Sequence, residues 1–287
     1  MDIAVVGAGR VGTALAVLWS RAGHRIVAVA GGHETRERAA THLPGVPVLD
    51  PGAASKDAEV VVIATPDAMV AEVCERIARA GSIHPGSSVA HVSGATGLDA
   101  LDAATSIGAT TFSIHPLQTI PSVEAGVERI PGAGIAITAT SQEGEALGDR
   151  LAEDAGGRPF GLADDMKALY HSAGVFASNY LVTITAIAQQ IEAEAGVKDG
   201  GAYLATLQDA TLENIRRVGA ADALTGPAVR GDATTVGRNL EALAERVPEA
   251  VPTYVALAEL TTRIAARSGR LSAEGRQAVQ EILARWR

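Results

Sequence analysis

The sequence predicts an α/β protein, in which an N-terminal doubly wound Rossmann domain precedes an all-α C-terminal domain. Three observations support this fold class. A glycine-rich turn follows the first apolar strand, five further strand patterns alternate with helical segments up to residue 139, and no strand pattern follows residue 164. We therefore expect a dinucleotide-binding domain at residues 1–162 and a helical domain, for substrate binding and dimerisation, at residues 163–287.

The composition is that of a soluble globular protein with room for two domains. Of the 287 residues, 47% are hydrophobic and 20% charged, while only 3% are aromatic. Small alanine and glycine side chains favour closely packed helices. The net charge of −9 disfavours a nucleic-acid partner, since such proteins normally carry a basic face.

The cysteine content and the hydropathy pattern favour a cytoplasmic protein. Cys74 is the single cysteine, so the chain forms no internal disulfide and has no cysteine cluster for a metal. No apolar run approaches the about 18 residues of a membrane span. The first residues also lack the basic flank and cleavage site of a signal peptide. We therefore expect no membrane association and no metal.

The first element is a strand that ends in a glycine motif. Gly7, Gly9 and Gly12 form the pattern G-x-G-x-x-G, with Arg10 and Val11 between the last two glycines. The motif lies directly after an apolar strand and directly before a helix, which is the context that a dinucleotide site needs. The helix N-terminus then offers unpaired N–H groups and a positive dipole end to phosphates. These residues are our candidates for cofactor binding.

The second strand, residues 25–30, decides which dinucleotide is preferred. In NAD-binding proteins an acidic residue at its end holds the ribose 2′-hydroxyl, and here that position is glycine. His33, Thr35 and Arg36 follow and can contact a 2′-phosphate. We therefore expect NADP(H), while Glu34 leaves NAD possible. A solvated helix start is the alternative interpretation of this segment.

Four more strands are predicted at residues 59–66, 87–94, 109–116 and 134–139, with helical segments between them. This alternation predicts a parallel sheet whose ligand site lies beyond the carboxyl ends of the strands. Polar and turn-forming residues stand at three of these ends, and they can also be ordinary loop residues. We assign them to the cofactor (Thr65 and Pro66) and to the substrate (Ser93, Gly94 and His115).

The C-terminal half predicts helices only. A long helix begins at Asp164 or Asp165 and runs to about residue 195, and further helices cover residues 201–218, 232–246, 250–268 and 272–286. The segment "LTGPAVRGD" interrupts them at residues 224–232. A helical domain joined to a dinucleotide fold usually places its substrate between the two domains.

Lys167 and His171 lie four residues apart on the first of these helices. At about 100° per residue they share one face, which can hold a ligand or pack against another helix. Hydride transfer to a carbonyl needs a proton donor or an electrostatic stabiliser, and a partly desolvated lysine can be either. Asn179, which lies farther around the helix, and Arg230, which can hold a carboxylate bidentately, are further candidates for substrate binding. A solvated surface remains the alternative for Lys167 and His171.

The chain resembles a family of proteins with a Rossmann-like N-terminal half and a helical half described as domain of unknown function 2520. The matching segments, in order from residue 6 to residue 232, are "GAGRVGTALA", "IATPD", "HVSGA", "SIHPLQT", "KALYHSAGVFASNYL" and "LTGPAVRGD". This family is similar to the 6-phosphogluconate dehydrogenase-like β-hydroxyacid dehydrogenases and to ketopantoate reductases. The resemblance implies that Lys167 acts at a carbonyl, with His171 where relatives carry asparagine.

Together these inferences predict an NADPH-dependent reductase of a small 2-oxo acid, most specifically of 2-dehydropantoate to pantoate. Two alternatives remain open at this point. One is an imine reductase similar to pyrroline-5-carboxylate reductase, and the other is a non-catalytic NADP(H)-binding sensor. The alanine-rich helices also favour a homodimer, because their broad apolar faces need covering.

Overall fold

The computed structural model describes all 287 residues. They form two compact units, Met1–Ser178 and Asn179–Arg287. The predicted domain boundary between residues 162 and 163 stays a prediction. The helix that carries Lys167 belongs to the first unit, together with the whole sheet.

A seven-stranded sheet forms the centre of the first unit, in the order β2-β1-β3-β4-β5-β6-β7. Its strands are β1 (Asp2–Val6), β2 (Arg25–Ala30), β3 (Val60–Ile63), β4 (Ser88–His91), β5 (Thr110–Pro116), β6 (Gly134–Ala139) and β7 (Arg158–Gly161). The first five follow the order 2-1-3-4-5 of doubly wound folds. Because the chain reverses its winding between β1 and β3, a crevice is expected beyond the carboxyl ends of these two strands.

The strand directions correct one part of the prediction. Neighbouring strands are parallel from β2 to β5, but β6 runs antiparallel to β5, and β7 is parallel to β6. An apolar run looks the same in either direction, so the sequence did not distinguish the two. Strand β7 was not predicted, because its four residues, "RPFG", include a proline and a glycine and are mostly exposed.

Alternate residues of the strands pack into two hydrophobic cores, one on each face of the sheet. Ile3 and Val5 of β1 belong to one core, and Ala4 and Val6 belong to the other. The helices that cover the sheet are α1 (Arg10–Arg21), α2 (Thr35–His42), α3 (Pro51–Ser55), α4 (Val70–Arg79), α5 (Asp102–Thr105), α6 (Val123–Arg129) and α7 (Gln142–Asp154). The first unit ends with α8 (Lys167–Gly174), which follows a 3-10 turn at Asp164–Met166.

The second unit is entirely helical, which confirms the predicted fold class. Its helices are α9 (Tyr180–Glu194), α10 (Gly200–Val218), α11 (Ala220–Ala223), α12 (Pro227–Arg230), α13 (Ala233–Arg246), α14 (Val251–Arg267) and α15 (Ala273–Ala284). Residues of α13, α14 and α15 form the core of this unit, with Val236, Leu240, Val255 and Val279 among the buried side chains. None of the helices combines the length and the apolar character that crossing a membrane requires.

The long helix predicted from residue 164 is continuous but not regular. A π-helical segment, Val175–Asn179, lies between α8 and α9. Each π-helical turn contains more residues than an α-helical turn, so the phase beyond residue 174 differs from that of a regular α-helix. The angular position calculated for Asn179 from the sequence therefore does not apply.

Candidate active site

The glycine loop packs against the end of β3. Gly7 has a φ of +98°, and a Cβ atom there would lie 2.5 Å from the backbone of Ala64 and Thr65. At Gly12, a Cβ atom would lie 2.7 Å from the Gly7 carbonyl oxygen and 2.9 Å from the Ala64 Cβ. The first and third glycines are therefore required by the turn and by the close approach of α1 to the sheet. Their loop lies at the switch point of the strand order.

The space around the second glycine fits the phosphates of a dinucleotide. A Cβ atom on Gly9 would meet only the Gly7 carbonyl oxygen, at 3.9 Å, so the backbone is open to a ligand. The first N–H groups of an α-helix have no intrahelical partner. In α1 no side chain caps these groups, because the N-cap residue is Gly9. The Thr65 hydroxyl is buried without a hydrogen-bond partner, and polar atoms in this condition commonly mark a ligand position.

The segment after β2 offers exposed basic side chains and has no acidic residue directly at the end of the strand. Gly31 stands directly after the strand, and His33 and Arg36 are exposed nearby. Glu34 is already paired, because Arg38 donates a hydrogen bond to its carboxylate at 2.7 Å. The Arg38 guanidinium also donates to the Ala8 carbonyl in the glycine loop at 3.0 Å. Arg10 and Pro66 are exposed as well, and Val11 is half-buried.

Lys167 is the first residue of α8, and its side chain is only 1% exposed. The ammonium nitrogen donates hydrogen bonds to Ser113 Oγ at 2.8 Å and to the Ser93 carbonyl oxygen at 3.1 Å. Ser113 lies on β5, and Ser93 lies in the turn after β4. The lysine is therefore held beside the carboxyl end of β4 and the middle of β5.

Burial lowers the pKa of Lys167 from its usual 10.5 to about 8, and the carboxylates of Asp164 and Asp67 partly offset this effect. The charged and neutral forms are therefore both populated close to neutral pH. Two acceptors occupy two N–H groups of the ammonium, and the third N–H has no acceptor within the protein. In the neutral amine, the lone pair takes that position. The group can thus give and regain a proton at one place.

His115 is held as a neutral imidazole. Burial, together with the charges of Lys167 and His171, lowers its pKa to about 4, and Asp67 partly offsets this. The Tyr170 hydroxyl and His115 Nδ1 form a hydrogen bond at 3.3 Å, and its direction follows from which ring nitrogen carries the proton. Burial raises the pKa of Tyr170, so its phenol keeps its proton. His115 is therefore a neutral imidazole near the end of β5.

Gly94 makes room for the His115 ring. A Cβ atom at Gly94 would lie 2.6–2.9 Å from three atoms of this ring, which is closer than real contacts allow. The observed position of the His115 ring therefore requires glycine at residue 94. The Ser93 hydroxyl is engaged in its own turn, because it accepts the N–H groups of Ala95 and Thr96. Its carbonyl, and not its hydroxyl, is the group that Lys167 uses.

His171 lies one turn after Lys167 and is exposed. Its ring centroid is 6.3 Å from that of His115, with the planes inclined by 64°. The structure thus brings together the predicted residues Lys167, His171, Ser93, Gly94 and His115. Asn179 and Arg230 belong to the second unit, where both are exposed.

Three residues of this site were missed in the sequence analysis: His91, Ser113 and Tyr170. His91 and Ser113 are neighbours in the parallel register of β4 and β5. Ser113 also precedes His115 by two residues on one strand, which places both side chains on the same face of the sheet. That spacing was visible in "SIHP", but the pairing of the two strands was not.

Comparison with known proteins agrees with this architecture. Residues 1–116 match the family model of a Rossmann-like domain, and residues 133–261 match the model of a domain of unknown function (DUF2520). A search of curated proteins gave no match.

Solved structures share the fold. A candidate NADP oxidoreductase from Bacteroides fragilis has a TM-score of 0.77 and 23% identity, covering 91% of this chain and 98% of that chain. A protein from Thermotoga maritima has a TM-score of 0.71 and 20% identity, covering 93% and 99%. The imine reductase from Myxococcus stipitatus in complex with NADP+ has a TM-score of 0.64 and 17% identity, covering 100% and 99%. The two family models match successive parts of the chain, a Rossmann-like domain followed by a domain of unknown function 2520.

Proposed function

We propose that the protein is an NADPH-dependent reductase that acts on the carbonyl of a small 2-oxo acid. The observation that carries the proposal is the buried Lys167 ammonium, held by the Ser93 carbonyl just beyond β4 and by the Ser113 hydroxyl on β5. The most specific substrate is 2-dehydropantoate, reduced to pantoate, as the resemblance to ketopantoate reductases suggests.

The glycine loop and the end of β3 are the proposed cofactor site. The open backbone at Gly9, the uncapped start of α1 and the unpartnered Thr65 hydroxyl all fit a dinucleotide. Glycine at residue 31, where an acidic residue would bind the ribose 2′-hydroxyl of NAD(H), favours NADP(H). Solved structures of the same fold contain NADP+ or NADPH, which supports the same choice. NADPH supplies the hydride when it is bound.

Lys167 is the proposed proton donor. Reduction of a carbonyl places negative charge on its oxygen, which must then be protonated or stabilised. The free N–H of the ammonium can donate to this oxygen, and the pKa of about 8 lets the amine regain its proton near neutral pH. The neutral His115 ring is a second hydrogen-bonding group that can orient the substrate. His171 is proposed to exchange the proton with solvent, since it is exposed beside His115.

The substrate assignments of Asn179 and Arg230 stay predictions from the sequence. A carboxylate is the expected ligand of Arg230, because a guanidinium binds it bidentately. Replacing Arg230 with Lys keeps the charge and removes this geometry. A higher KM for the 2-oxo acid, with an unchanged KM for NADPH, is the result that supports the assignment.

The proposal is tested by NADPH oxidation with 2-dehydropantoate, other 2-oxo acids and cyclic imines as substrates. Lys167→Ala is expected to lower kcat on the active 2-oxo acid by about 10²–10⁴-fold, the usual contribution of a general acid. NADPH affinity should be retained. Lys198→Ala removes an exposed lysine and is the matched control. Equal turnover of Lys167→Ala and the control would contradict the assignment.

An imine reductase is the second candidate function, since solved imine reductases share the fold. An iminium substrate already carries its proton, so Lys167→Ala should then have little effect on turnover. Turnover of a cyclic imine but of no 2-oxo acid would support this alternative. Tight NADPH binding without oxidation by any of these substrates would instead support a sensor.

We also propose that the protein forms a homodimer through α9 and α10. No residue of α9 is buried, and in α10 only Gly200 is buried. Large apolar side chains on these helices are strongly exposed, with Val182 at 69%, Tyr203 at 63% and Leu207 at 62%. Such surfaces are usually covered by a partner. Sedimentation should give a dimer, and the double variant Tyr203→Glu, Leu207→Glu should give a monomer; a monomeric wild type would contradict this proposal.

A further inference from the structure

We propose that His91 is a positioning residue for Lys167: it fixes the turn after β4 so that the Ser93 carbonyl accepts a hydrogen bond from the lysine. The proposal concerns a residue outside the predicted site. Its relevance to catalysis rests on the proposed role of Lys167, but the contact itself can be tested without a substrate.

The His91 ring acts as a hydrogen-bond acceptor inside the protein. His91 is the last residue of β4 and is fully buried. Its Nδ1 accepts the Ser93 N–H at 3.2 Å, so in the neutral ring the proton is on Nε2. Burial and the nearby Lys167 lower the pKa of His91 to about 3, and the Gly97 backbone partly offsets this. The ring therefore stays neutral, and Nδ1 stays an acceptor, throughout the physiological pH range.

The hydrogen bond from the Ser93 N–H to His91 Nδ1 determines the orientation of the Ser93 carbonyl. The N–H and the carbonyl of Ser93 belong to one residue, so release of the N–H frees the dihedral angles that aim the carbonyl at Lys167 Nζ. The next residues are fixed as well, because the Ser93 hydroxyl accepts two N–H groups of its own turn. Asp164, three residues before Lys167, accepts the Leu98 N–H at 3.0 Å. The turn and the start of α8 are therefore linked at two places.

A purely structural role does not account for histidine at this position. Its buried Nε2 makes no hydrogen bond of normal geometry, although the Gly97 backbone lies close enough to raise the pKa of the ring. Burying a polar group without a partner destabilises a fold, so an apolar side chain would be favoured if packing were the only requirement. The acceptor at Nδ1 is the property that an apolar residue lacks.

The test compares His91→Leu with His91→Asn. Leucine fills the space without an acceptor, while the Asn side-chain oxygen can accept the N–H two residues later, as in an Asx-turn. The readout is the pKa of Lys167, followed by NMR in protein labelled on lysine. The chain has only two other lysines, Lys56 and Lys198, and both are exposed and serve as internal references.

His91→Leu is expected to lower the pKa of Lys167 by about one pH unit, because the charged form loses one hydrogen bond. The Ser93 amide should exchange its proton faster, and kcat should fall while the KM for NADPH stays unchanged. His91→Asn should restore the values of the wild type. The other groups whose charges act on Lys167 or its surroundings (Asp164, Asp67 and His115) are unchanged in both variants.

Two results would overturn the proposal: an unchanged Lys167 pKa in folded His91→Leu, or the same defect in His91→Asn as in His91→Leu. If His91→Leu does not fold, the proposal is tested on the wild type instead. The 15N chemical shifts of the His91 ring then show which ring nitrogen carries the proton. A proton on Nε2 supports the proposal, and a proton on Nδ1 refutes it. Because these readouts need no substrate, an inactive or differently active protein leaves the test of His91 intact.

Discussion

Burial of the charged Lys167 is predicted to lower the free energy of unfolding at neutral pH. The free energy of unfolding should therefore depend on pH. The pKa of Lys167 is about 8 in the folded protein, against 10.5 for an ordinary lysine. Between these values the unfolded chain binds the proton that the folded protein has released, so the free energy of unfolding rises with pH. The pKa difference corresponds to about 3 kcal/mol. The fold therefore retains a charged group that destabilises it, which is expected of a functional residue and not of a structural one.

The assay is urea unfolding of the wild type and of Lys167→Met at intervals from pH 7 to pH 10.5. Subtracting the two curves removes the titration of all other groups. The stability of the wild type relative to Lys167→Met should increase by about 3 kcal/mol over this range. Lys198→Met, which replaces an exposed lysine, should follow the wild type. Parallel curves for the wild type and Lys167→Met would refute the reasoning.

Three further substitutions test other contacts of the site. Ser113→Ala removes an acceptor from the Lys167 ammonium and should lower its pKa by about one to two units, measured by NMR; an unchanged pKa would show that the contact is weak. Gly94→Ala should destabilise the protein by about 1–3 kcal/mol in urea unfolding, because the His115 ring must move; wild-type stability would contradict the observed packing. Arg36→Ala should raise the KM for NADPH by about tenfold or more and leave that for NADH unchanged; equal effects on both cofactors would argue against a 2′-phosphate contact.

The elements with strong local signals were predicted well. The glycine motif, the first two strands and the long helices of the second unit follow from apolar periodicity and from turn residues, and the structure places them within a few residues of the prediction. The short helices α11 and α12 were not predicted, and α12 lies within the segment 224–232 that was expected to interrupt the helices. The same approach failed for β7, because a four-residue strand with a proline and a glycine has no recognisable pattern. It also failed for the direction of β6, since strand direction depends on tertiary connections.

For the candidate site, the sequence identified the residues near Lys167 but not the groups that hold it. The four-residue spacing predicted that Lys167 and His171 share one face of a helix. The predicted ends of the strands indicated Ser93, Gly94 and His115. Ser113 and His91 lie near Lys167 because β4 and β5 pair in a register that places the two residues side by side. Neither strand's sequence alone determines this register. The use of the Ser93 carbonyl was equally hidden, because every residue has a carbonyl and only the fold shows which one is aimed at the lysine.

The central claim is that Lys167 supplies the proton in reduction of a 2-oxo acid. The most direct measurement is kcat/KM as a function of pH for the 2-oxo acid that the protein turns over, in the wild type and in Lys167→Ala. For the wild type, kcat/KM should fall on the alkaline side with an apparent pKa of about 8, because kcat/KM reports the ionisation of the free enzyme. In Lys167→Ala this dependence should be absent, and kcat/KM should be lower by about 10²–10⁴-fold. The same alkaline limb and the same kcat/KM in both proteins would contradict the claim.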